Sequence, residues 1–123
     1  MLVTSFALLL AAAMMGTVLA AVHLGVGRGA AIPWPAWVLH GLLGAAGFAV
    51  LLLGLRGPPR GVAMGVGPFG RFAAVLLTAA LLIAVAILRG RLARRPISTL
   101  TIGSHATLAI GGLVVLAAYV MMS

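Results

Sequence analysis

Four stretches of this chain are almost continuously apolar: Leu2–Val26, Ala36–Leu55, Phe69–Leu88 and Ile97–Met122. Each has the roughly 17–25 residues that a helix needs to cross the hydrocarbon core of a bilayer. The segments between them carry the chain's turn-formers and charges. They are Gly27-Arg28-Gly29 with Pro33-Trp34-Pro35, then Arg56-Gly57-Pro58-Pro59-Arg60-Gly61, then Arg89 to Pro96. None is long enough for a second domain. The pattern predicts an all-α fold, a bundle of four transmembrane helices with short loops, forming one integral membrane domain over residues 1–123. Val18-Leu19-Ala20 has the form of a signal-peptidase site, but Met1 to Thr4 holds no positive charge, so the first stretch counts as a span.

A shift of 65 residues lays His40-Gly41-Leu42-Leu43-Gly44-Ala45-Ala46-Gly47 over His105-Ala106-Thr107-Leu108-Ala109-Ile110-Gly111-Gly112. The series His40, Gly44, Gly47, Leu51, Gly54 steps by four and three, as does His105, Ala109, Gly112, Leu116, Tyr119. Each therefore follows one helical face. Small residues on such a face let backbones approach in lipid, where the hydrophobic drive between helices is weak. Gly44, Gly47, Gly54, Ala109 and Gly112 are thus expected at helix contacts, with both histidines turned into the bundle. A related series in the first span, Ala13, Gly16, Ala20, His23, Gly27, adds Gly16 and Ala20 as packing positions. The repeat predicts two helical hairpins in the same orientation.

Composition strengthens the membrane assignment: 64% of the residues are hydrophobic and 7% charged, against about 25% charged in soluble domains. All eight charges are arginine, which suggests the codon bias of a GC-rich bacterial genome. The net charge of +8 does not point to nucleic acid, because the arginines lie in short loops, where they meet anionic headgroups and set orientation. One side of the membrane receives Arg28, Arg89, Arg91, Arg94 and Arg95; the other receives Arg56, Arg60 and Arg71. The positive-inside rule places the first group in the cytoplasm and both termini outside, in a bacterial inner membrane. Trp34 and Trp37 suit the headgroup level on the five-arginine side.

The chain has no Asp, Glu, Lys or Cys. Thiolate metal sites, iron–sulfur clusters and disulfides are therefore excluded, as is coupling through a buried carboxylate of the kind used by small four-helix exporters. No catalytic residue is assigned, and no enzymatic activity of its own is expected. Chemistry near neutrality falls to His23, His40 and His105, all placed within a few turns of the five-arginine side. A hydroxyl or carbonyl of a neighbouring helix would satisfy such a histidine structurally, and Thr99, Thr101, Ser104 and Thr107 are at hand. A three-imidazole zinc or copper site lacks a carboxylate to orient its ligands. Imidazoles from two helices can instead supply both axial ligands of haem b, with His40 and His105 as the ligands and Arg28, Arg94 or Arg95 on the propionates.

In span count and helix-borne histidines the chain resembles the four-helix membrane cytochromes of the b561 type. That resemblance implies haem b and electron transfer. It departs from the family in having every histidine near one face, which leaves room for one haem rather than two. The leading functional expectation is a small accessory subunit of a larger bacterial membrane complex concerned with electron transfer, in contact with lipid and other subunits, with pigment or quinone as further candidate partners. The alternative is a single-haem cytochrome subunit, and a small transporter ranks behind both.

Overall fold

The computed structural model describes residues 1–25 and 31–123 and contains four long helices: α1 (Leu2–His23), α2 (Trp34–Gly54), α3 (Phe69–Leu92) and α4 (Thr99–Met121). All four are long and apolar enough to cross a membrane, and the described residues contain no strand. Large apolar side chains stay exposed around their circumference, for example Met14, Val18, Leu42, Val75, Leu82 and Val114. Such a surface suits hydrocarbon rather than water as the solvent.

The helix ends follow local chemistry. Pro33, extended, precedes α2, and Pro35 occupies its first turn, where a missing N–H leaves nothing unsatisfied. Ser98 starts α4 by accepting a hydrogen bond from the Thr101 N–H. The third helix continues past Leu88 to Leu92, so Arg89 and Arg91 belong to its last turn rather than to a loop. It ends where the Arg94 N–H reaches the Arg91 carbonyl and the Arg95 N–H reaches the Gly90 carbonyl. This is a Schellman closure, and Pro96 follows it. The first helix stops at His23; Val26, the expected end of the first span, and Gly27, the last of its small-residue series, lie outside the described residues.

The helices pair as hairpins, α1 with α2 and α3 with α4. Between hairpins α1 packs on α4, α2 touches α3 least, and α2 and α4 face one another across a diagonal of the bundle. The two hairpins bury equivalent positions. Residues of α2 correspond to residues of α4 at a shift of 65, while α1 corresponds to α3 at 68. Leu51 and Leu116 are fully buried equivalents, as are Ser5 and Ala73, and Leu9 with Leu77 and Ala12 with Ala80 are buried equivalents. A Cβ added at Gly47 would lie 2.8 Å from Leu9 Cγ, and one at Gly112 would lie 2.8 Å from Leu77 Cγ. One pair is exchanged: Leu2 packs on Gly54, whereas Tyr119 packs on Gly70. The packed face of α1 runs through Leu2, Ser5, Leu9 and Ala12 to Gly16, and it shares Gly16 with the series Ala13, Gly16, Ala20, His23, Gly27 read in the sequence.

The α2–α3 connector is fastened to the bundle end opposite the two hairpin turns. Val66 is buried there, and the Arg60 N–H donates to the Tyr119 hydroxyl at 3.1 Å. This leaves the other end, formed by the α1–α2 and α3–α4 turns, to carry the histidines and most of the arginines.

Candidate functional site: a histidine pair on the bundle diagonal

His40 lies about two turns into α2 and His105 about two turns into α4. Their rings meet across the bundle diagonal with centroids 6.1 Å apart and planes at 85°. The sequence repeat correctly turned both inward. Each imidazole is anchored to its own hairpin partner, His40 Nδ1 to the Ala12 carbonyl of α1 and His105 Nδ1 to the Ala80 carbonyl of α3, both at 2.9 Å. A carbonyl only accepts, so in each ring Nδ1 carries the proton. When the ring is neutral, Nε2 then holds the free lone pair.

The anchoring depends on small residues. A helical side chain covers the turn N-terminal to its own Cα, so the residue four positions after a carbonyl decides whether a neighbour can reach it. That residue is Gly16 for Ala12 and Ala84 for Ala80. A Cβ at Gly16 would stand 2.7 Å from His40 Cε1. Of the hydroxyls and carbonyls that could satisfy the histidines, backbone carbonyls of the neighbouring helices do so, and Thr101 pairs with Ser98 instead.

Neither Nε2 has a hydrogen-bond partner among the described residues, and none of their fully buried side-chain nitrogens lacks one. Both Nε2 atoms therefore border open space. More space lies one turn deeper on the same face of α2, where a Cβ at Gly44 would meet nothing within 4 Å. Gly47, Gly54 and Gly112 instead lie at close approaches to Leu9, Leu2 and Leu77. Ala20 and Ala109 are half-buried.

His23 does not join the pair. It is exposed at the end of α1 and lines a separate open cleft with Trp37, Arg91, Arg94, Arg95, Pro96 and Ile97. The described residues accordingly bring no three histidines together around one point. Arg94 and Arg95, expected beside the haem ligands, line the His23 cleft, which neither His40 nor His105 borders; Arg28 lies outside the described residues. Arg91 was missed as a site residue because α3 was read as ending before it. Ser5 was also missed, although it is fully buried and donates to the Gly47 carbonyl at 2.8 Å. A lone serine in an apolar run is a visible signal of such a contact.

Two imidazoles that present Nε2 lone pairs from opposite helices, each held by an Nδ1–H bond to a carbonyl, form a donor set that would suit a metal taking two imidazole nitrogens. They fit hard cations poorly, since those need oxygen ligands and the chain offers no side-chain carboxylate. Compared with protein-family models, curated proteins and solved structures, the chain matches none, so its function has to be argued from this arrangement.

Proposed function

We propose that this protein is a small integral membrane subunit that carries one b-type haem between His40 and His105, within a larger electron-transfer assembly of a bacterial inner membrane. The observation that supports it is the matched pair of Nδ1–H···carbonyl bonds. A packing histidine needs only one satisfied nitrogen. Here both rings are fixed in the same tautomer, and both keep the same nitrogen free on the bundle diagonal. Fixing the tautomer and orientation of a ligating imidazole through its other ring nitrogen is what a metal site requires.

In this reading His40 and His105 would hold the iron. The Ala12 and Ala80 carbonyls orient the rings, and Gly16 and Gly44 provide clearance. Bound haem would supply reversible one-electron transfer. The chain has no side-chain carboxylate to give or take a proton beside the pair. Both histidines lie toward the same end of the bundle, so electrons would enter and leave on one side, and partner subunits would have to complete any path across the membrane.

The test is the visible spectrum of protein purified from haem-sufficient cells. A reduced-minus-oxidised α-band is expected, lost in His40→Ala and in His105→Ala and kept in His23→Ala. A second reading assigns the pair to packing alone, supported by the edge-on contact of the rings. The absence of any band in the purified complex would establish that reading in place of the first.

A further inference from the structure

The end of the bundle that carries both hairpin turns concentrates positive charge with nothing in the chain to balance it. Arg91, Arg94 and Arg95 line one open cleft of about 610 Å³ together with His23, Trp37, Pro96 and Ile97. No Asp or Glu exists anywhere in the sequence, so no side-chain carboxylate can neutralise these guanidinium groups. Like charges this close repel, and the repulsion is strongest beside a low-dielectric membrane, so the cleft calls for an anion from outside.

The backbone gives a second, independent indication. Arg94 occupies the left-handed position of the Schellman closure, with φ of 53°, and is the only non-glycine residue among those described with positive φ. Glycine fits that position without strain, whereas a residue with a Cβ is strained there. The strained residue is a cation that lines the cleft, and its neighbour Arg95 lines it too.

The remaining lining indicates which anion. Trp37 lies one turn before His40 on α2, at the level where an indole meets headgroups, and exposed apolar side chains continue down the bundle from this end. Arginine forks match phosphate oxygens in pairs. We infer that the cleft binds the phosphate of an anionic membrane phospholipid, whose acyl chains follow the outer faces of the helices. The site stands apart from the haem reading, since neither His40 nor His105 lines it.

Native mass spectrometry of the delipidated full-length protein in detergent, offered phosphatidylglycerol, phosphatidylcholine or inorganic phosphate, tests this. One phosphatidylglycerol should be retained in preference to phosphatidylcholine. Arg91→Gln, Arg94→Gln and Arg95→Gln should each weaken that retention roughly fivefold, while Arg56→Gln, Arg60→Gln and Arg71→Gln at the far end leave it unchanged. Circular dichroism confirms that each variant remains helical, and a variant that unfolds is replaced by the other two. Equal retention of the two lipids overturns the inference, as does indifference to the three cleft substitutions. Displacement of phosphatidylglycerol by millimolar phosphate would reduce the site to a general anion site. Displacement by added haem, one for one, would assign the arginines to its propionates. Either result overturns the lipid assignment.

Discussion

At the scale of single residues, the sequence identified the histidines by their chemistry and their repeat, because both signals reside in side-chain identity. What holds them was not legible. The acceptors are the backbone carbonyls of Ala12 and Ala80, and every residue has a carbonyl, so no residue type marks the two in use. The nearest visible sign is the small residue four positions later, Gly16 or Ala84, which in an Ala- and Gly-rich chain does not stand out. Glycines illustrate the same limit. The repeat selected Gly44 and Gly47 equally, yet a Cβ at Gly47 would press on Leu9, whereas one at Gly44 would meet open space. The two classes should separate by mutation. Gly16→Ala forces the His40 ring off the Ala12 carbonyl and should cost about 1–3 kcal/mol, as overpacking does. Gly44→Ala should be neutral or stabilising by up to about 1 kcal/mol through helix propensity. Thermal unfolding in detergent reads both; equal losses would mean that the clearance at Gly16 has no role in holding His40.

At the scale of elements, all four spans were foreseen, and their boundaries moved where local hydrogen bonding outweighed hydropathy. Arg89 and Arg91 look like loop residues by charge, but at a helix C-terminus a cation complements the exposed carbonyl dipoles, so α3 runs through them to Leu92. In the first helix the small-residue series meets the packed face at Gly16, which lies against His40. Toward the other end the roles reverse, and α1 buries Leu2, Ser5 and Leu9 against α2, which supplies Gly54 to Leu2 and Gly47 to Leu9. Small residues on one partner suffice for close approach, and sequence alone does not say which partner has them. The end of α3 gives a prediction at this scale. Arg94→Gly relieves the left-handed strain and should raise stability by about 1 kcal/mol. The same change removes one cleft cation and should weaken retention of anionic lipid. A melting temperature that rises while lipid retention falls would show the two effects opposed at one residue; a fall in both would show that the Arg94 side chain supports the fold.

At the scale of the whole molecule, the repeat proved more extensive than the sequence showed. A constant shift of 65 aligns α2 with α4 but misses α1 against α3, which need 68, because the first hairpin is three residues longer between its matched positions. Each hairpin closes over its own extensive contacts, and the α2–α3 connector runs exposed from Arg56 to Arg60. Separately inserted helices assemble in lipid by packing rather than by chain connectivity. A break between Pro58 and Pro59 should therefore leave two halves that co-purify from the same membrane when only one carries a tag. Recovery of the tagged half alone would show that the connector, not the interface, holds the hairpins together. The pairing of His40 with His105 has a further consequence in terms of heredity. When a site lies on the two-fold axis of a homodimer, one gene writes both of its halves, so every substitution strikes twice. Two hairpins encoded in tandem escape that constraint. The exchange of Leu2 and Gly54 for Gly70 and Tyr119 is the kind of one-sided change that only a single chain can accumulate while keeping its two central imidazoles alike.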